Sequence, residues 1–266
     1  MIFFKKRHRE RVAAQPFPEA WARVLDTQVP LYGTLDEDER RELRGLIQIF
    51  VDEKEFEGCG GLEITDDIRV IVAAQACILL LGRETDIYPR LRTILVYPHP
   101  YQAHAVENLG GGLVVEGEQA RSGESWSYGT VVLSWDTVQH DAMDIHDGHN
   151  LVLHEFAHQL DSEDGAADGA PVLPRRSMYV AWARVLGHEY QTLIEAVDRH
   201  RPTVLDKYGA TNPAEFFAVA TECFFERPVP LARKNPELYD QLRSFYGRDP
   251  AARPRPERTK PADQAP

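Results

Sequence analysis

Residues 154–158 read His-Glu-Phe-Ala-His. On a helix, side chains four apart lie on one face, one turn above the other. Two imidazoles so placed can hold a single Zn²⁺. Glu155 stands about 100° round the same helix. That direction suits a carboxylate beside a zinc-activated water better than a ligand, which is the position of a general base. The chemistry implied is hydrolysis, with one zinc per chain.

A catalytic zinc of this kind needs a third protein ligand and an open position. The segment Tyr208-Gly-Ala-Thr-Asn-Pro-Ala-Glu215-Phe-Phe217 offers one. Asn212 is a good N-cap and Pro213 suits the first helical position, so Glu215 falls in the first turn of a new helix. Locally, Glu215 could equally close a capping box with Asn212. The His-Glu-x-x-His upstream tips it to ligand. Glu222 is seven residues after Glu215, and Asp161 seven after His154, each on the face of its predecessor. Either is a candidate to hydrogen-bond a ligand imidazole from behind. Tyr208 has two readings: a phenol that steadies a tetrahedral oxyanion, or a buried aromatic with its hydroxyl satisfied locally. Spacing alone favours the second. His140, His146 and His149 fall in an Asp-rich loop and read as solvated rather than as a second metal site.

The elements that must carry these residues follow from pattern. Asn150 caps a helix through Asp161 whose other faces are apolar (Leu151, Val152, Leu153, Phe156, Ala157, Leu160). Burying two histidines and a glutamate there without partners would be costly. Helices are also expected over 18–25, 36–53, 66–81, 178–200, 213–225 and 236–245. Short strands are expected over 93–97, 113–115 and 130–135, set off by Gly and Pro. The strand from Val131 to Trp135 is expected beside the metal helix, with an edge free to take an extended peptide. The order gives an α+β fold, mainly helical with a small mixed sheet. Residues 17–249 read as one domain. Residues 1–16 read as a basic, loosely ordered arm and 250–266 as a disordered tail.

Formal net charge is −12, which argues against direct nucleic-acid binding. The longest apolar run, Ile68 to Leu81, is shorter than the roughly 20 residues of a membrane span. Three cysteines without a Cys-x-x-Cys pair fit a reducing, cytoplasmic setting.

Several stretches resemble the Mlc titration factor A family of bacterial zinc peptidases, of gluzincin type. They are Phe56-Glu-Gly-Cys-Gly-Gly-Leu62, Ala73-Ala-Gln-Ala-Cys-Ile-Leu-Leu-Leu-Gly82, Tyr88-Pro-Arg-Leu-Arg-Thr-Ile-Leu-Val-Tyr97, Val131-Val-Leu-Ser-Trp-Asp136 and, most specific, Gly148-His-Asn-Leu-Val-Leu-His-Glu-Phe-Ala-His-Gln-Leu-Asp161. The segment from Tyr208 to Phe217 is also similar to lethal-factor-type toxin proteases. That likeness implies Glu215 as third zinc ligand and Tyr208 as an aid to catalysis. The toxin's supporting acid four residues after the ligand is replaced by Val219, which leaves Glu222 or Asp161 for that task. The family resemblance implies a zincin-like core and aminopeptidase action on small peptide-like substrates. It also implies a partner, the glucose-responsive repressor Mlc, whose removal from DNA raises expression of sugar-uptake genes. The competing expectation is a regulatory protein that sequesters such a repressor, with zinc and hydrolysis ancillary.

Overall fold

The computed structural model describes residues 2–83, 86–108, 114–121, 123–126 and 129–254. Its first element corrects an expectation. The basic segment is not a loose arm but helix α1 (Ile2–Ala13), followed by α2 (Glu19–Gln28), α3 (Pro30–Gly33) and α4 (Glu37–Glu53). Charge alone suggested solvation, yet the basic side chains have fixed acidic partners. Arg9 grips Glu53 with Nε and Nη2 at 2.5 and 2.6 Å and also pairs with Asp86. Val12 is buried. Deleting residues 2–13 should therefore cost about 2–4 kcal/mol, from lost apolar burial and a stranded half-buried carboxylate. A circular-dichroism melt of the shortened chain measures this; an unchanged midpoint would return the segment to a passive appendage.

Helix α4 starts at a full capping box, Asp36 with Glu39, as its acidic first turn suggests. After β1 (Glu55–Gly58), Thr65 caps α5 (Asp66–Ile78), in which every residue from Val70 to Ile78 is buried. Then come β2 (Thr93–Tyr97), β3 (Tyr101–Asn108), β4 (Val114–Arg121), β5 (Gly123–Trp126) and β6 (Thr130–Ser134). The chain closes with α6 (Trp135–Met143), α7 (Leu151–Asp161), α8 (Met178–Asp198), α9 (Pro213–Glu226), α10 (Pro228–Lys234) and α11 (Pro236–Tyr246).

The sheet is mixed, as expected, in the order β1-β2-β6-β5. The first three strands run parallel and β5 runs antiparallel to β6. Strands β3 and β4 form a separate antiparallel pair. Strand β6 does not have the free edge expected of it, because β2 and β5 occupy both its sides. The edges of the four-stranded sheet are β1 and β5, and β5 is the one beside β6. One apolar cluster runs from Val12 to Tyr246 and joins both helical groups to the sheet.

The C-terminal boundary also moves. Residues 250–254 are held against the body: Ala251 N–H donates to Tyr239 Oη, and Arg253 reaches Asp36 and Glu39, all at 2.9 Å. The rest of the expected tail, 255–266, lies outside the described residues.

Candidate metal centre

Helix α7 begins where Asn150 Oδ1 accepts the Leu153 N–H at 3.0 Å. Its apolar faces sink into the core, with Val152, Leu153, Phe156, Ala157 and Leu160 fully buried. The remaining face carries His154 and His158, whose Nε2 atoms lie 3.2 Å apart. Helix α9 arrives with Pro213 in its first turn and Asn212 Oδ1 accepting the Glu215 N–H at 3.0 Å. The Glu215 carboxylate turns to the imidazoles rather than to its own helix start. Its Oε2 lies 2.9 Å from His154 Nε2 and 3.3 Å from His158 Nε2.

These three atoms make a triangle of 2.9, 3.2 and 3.3 Å. Tetrahedral zinc with bonds of about 2.0–2.1 Å sets its ligand atoms about 3.3 Å apart, so two nitrogens and one oxygen fit it. Among the described residues this is the one group of three or more His, Cys, Asp or Glu with ligand atoms so gathered. His140, which lies on α6 rather than in a loop, joins no such group, nor do His146 and His149.

Glu155 is buried and its Oε2 has no hydrogen-bond partner. Burial pushes its carboxyl up to about 7, against the pull of His154 and His158. Burial would raise Glu215 too, but hydrogen bonds from both imidazoles, with their charge, outweigh it and hold that carboxyl at about 2. The two glutamates thus differ: Glu215 is held as a carboxylate, and Glu155 titrates near neutrality.

Of the two acids considered behind the ligands, Glu222 touches one. Its Oε1 lies 2.6 Å from His154 Nδ1, and its Oε2 accepts the Asn150 N–H at 2.7 Å. With Nδ1 against Glu222, Nε2 is the ring nitrogen left to face Glu215 and His158. Asp161 goes elsewhere. Its Oδ2 accepts the Gly169 N–H at 2.9 Å. Gly169 has φ +78°, and a Cβ there would sit 2.4 Å from the Pro213 carbonyl oxygen. Asp161 therefore anchors a loop against the start of α9. Tyr208 lies in a short 3-10 turn, 54% exposed, its ring centroid 6.0 Å from that of His154. It stands at the rim of the site, not in the core.

Sequence reasoning passed over Asp141, whose Oδ2 accepts the Leu151 N–H at 2.9 Å at the start of the metal helix. Burial pushes its carboxyl up to about 6, with the Leu151 N–H opposing. The folded chain thus holds an extra proton between about pH 4, the ordinary value, and pH 6. Its contribution to stability falls as pH rises through that window and is flat above. Asp141→Asn removes the slope while keeping an acceptor. Its advantage over the parent should grow from near zero at pH 4 to on the order of 2–3 kcal/mol at pH 7. Urea unfolding of both chains at the two pH values checks this; an equal difference at both would contradict it.

A His-Glu-x-x-His helix joined by a glutamate from a second helix, on an α+β chain, has the donor set of a two-histidine, one-glutamate metallopeptidase. The chain belongs to the family described as "Glucose-regulated metallo-peptidase M90", which matches residues 4–247. It is 44% identical to the uncharacterized protein slr2042 of Synechocystis sp. (strain ATCC 27184 / PCC 6803 / Kazusa), over 89% of this chain and 86% of that one. It is 34% identical to Mlc titration factor A of Serratia proteamaculans (strain 568), over 90% and 92%. For Mlc titration factor A of Pectobacterium atrosepticum the figures are 33%, 88% and 88%. Family membership carries a metal cofactor with it, and His154, His158 and Glu215 are the group able to hold one. No described helix is long and apolar enough to cross a membrane.

Proposed function

We propose that the chain is a zinc-dependent peptidase with a zincin-like core, acting as an aminopeptidase on small peptides in the cytoplasm. The observation that carries the reading is the close triangle of His154 Nε2, His158 Nε2 and Glu215 Oε2 beside the unpartnered, buried Oε2 of Glu155. The three free cysteines, two of them buried, support the cytoplasmic setting.

His154, His158 and Glu215 would hold the zinc, which when bound supplies Lewis acidity and lowers the pKa of water toward about 7. Glu155 Oε2 takes the proton of the attacking water and returns it to the leaving amine. Glu222 keeps the His154 ring turned with Nε2 toward the ligand cluster. The Tyr208 hydroxyl, on an exposed side chain at the rim, donates to the developing oxyanion. Strand β5, the antiparallel edge packed nearest α7, is where an extended peptide adds to the sheet.

Tyr208→Phe should lower kcat by about 10²–10³-fold, the range for losing one such donor, with zinc content and KM little changed. Steady-state kinetics decide it: an unaltered kcat would leave the tyrosine a rim residue only. The proposal as a whole is tested by metal analysis together with a panel of N-terminally free and blocked peptides. Cleavage confined to free N-termini supports aminopeptidase action.

A second reading is favoured by a specific observation. Relatives matching along most of their length carry the name Mlc titration factor A. Binding of an Mlc-type repressor by this chain would make it a modulator of sugar-uptake genes. Hydrolysis would then be ancillary, or coupled to that binding.

A further inference from the structure

Helix α9 carries three carboxylates at positions 215, 222 and 226. Steps of seven and eleven residues return to within about 20° of the starting direction, so they form one stripe. All three point at α7 or at the turn before it. Glu215 meets the Nε2 atoms of both histidines, and Glu222 meets His154 Nδ1 and the Asn150 N–H. Glu226 completes the series: Oε1 accepts from Asn150 Nδ2 at 3.0 Å and Oε2 accepts the Gly148 N–H at 3.2 Å. It is 2% exposed.

Asn150 is the hinge of this arrangement. One side chain caps α7 through Leu153, donates to Glu226, and donates again to Gln75 Oε1 at 2.7 Å. Gln75 is the one polar side chain between Val70 and Leu81 of an otherwise apolar stretch. A buried amide on a core helix needs a partner, and Asn150 is that partner. Three helices thus meet at the residue four before His154.

We infer that Glu226 is a positioning residue for the metal centre, setting the register of α9 against α7 through Asn150 and Gly148. The inference rests on the zinc-site reading above. Without Glu226, the Gly148 N–H and one Asn150 amide hydrogen lose their acceptor in a buried place. Asn150 then keeps only its bonds to Leu153 and Gln75, and a shift of its side chain disturbs the cap of α7 and the N–H that holds Glu222. The effect arrives at His154, although Glu226 touches no ligand. Burial also keeps the Glu226 carboxyl well above its ordinary range, opposed by the Asn150 amide.

The test uses the full chain and three readouts: zinc affinity by competition with a chromophoric chelator, the visible spectrum of the cobalt(II)-substituted protein, and urea unfolding of the metal-free protein. Glu226→Ala should weaken zinc by about 10–100-fold and shift the cobalt bands. Glu226→Gln keeps one acceptor of two, should weaken zinc by about 3–10-fold, and decides the matter if the alanine variant does not fold. Leu242→Ala, a core truncation on α11, controls for lost stability and should leave zinc affinity within about twofold. Unchanged affinity and spectrum in the Glu226 variants would overturn the inference, as would an equal loss in Leu242→Ala. A parent chain that binds no zinc would overturn the metal-site reading itself, and this inference with it.

Discussion

Glu155→Gln should lose peptide hydrolysis by about 10²–10⁴-fold while keeping its zinc. The amide has the shape of the carboxyl but cannot accept and return a proton. Among the described residues nothing donates a hydrogen bond to Glu155 Oε2. Zinc content by atomic absorption should match the parent, and KM should move little, because the lost interaction belongs to the transition state. The same variant separates the two functional readings. A repressor-binding protein with ancillary hydrolysis would keep its partner affinity, measured by titration with an Mlc-type repressor, while losing turnover. Full hydrolysis by Glu155→Gln would place the base elsewhere.

The second large effect is on the metal itself. His154→Ala, His158→Ala and Glu215→Ala should each weaken zinc binding by more than about 100-fold, beyond what outer contacts are worth. Glu215→Ala is the informative one. Its Oε2 lies within 3.3 Å of both imidazole Nε2 atoms yet comes from a different helix, so its loss tests whether α9 supplies a ligand. Inductively coupled plasma analysis after dialysis against a weak chelator gives the result. Full occupancy in Glu215→Ala would show that the third ligand lies elsewhere, with Glu222 the first alternative.

Much of this site was legible because helices translate spacing into direction. His154 and His158 needed only a period of 3.6 to share a face, and Asn150 and Asn212 marked both helix starts. The choice between capping box and ligand for Glu215 was not legible in its own segment, since both roles use the same first-turn position; the His-Glu-x-x-His upstream tipped it to ligand, and the carboxylate lies against both imidazoles. Asp161 and Glu222 stood at equal sequence offsets, and tertiary packing sends one to Gly169 and the other to His154. Helix α1 was missed for a related reason: Arg9 reads as solvated until Glu53 and Asp86, 44 and 77 residues away, are brought to it. Among the strands, β2 and β6 announced themselves by β-branched runs. Strand β1, Glu-Phe-Glu-Gly, is too short and polar to do so, and β5 is recognised only by its pairing with β6.

One zinc is expected between α7 and α9. A crystal structure of the zinc-loaded chain, with diffraction recorded on both sides of the zinc absorption edge, tests it most directly. The predicted result is a single anomalous peak about 2.0–2.2 Å from His154 Nε2, His158 Nε2 and a Glu215 carboxylate oxygen. A peak at any other group of residues, or none in a zinc-saturated crystal, would contradict it.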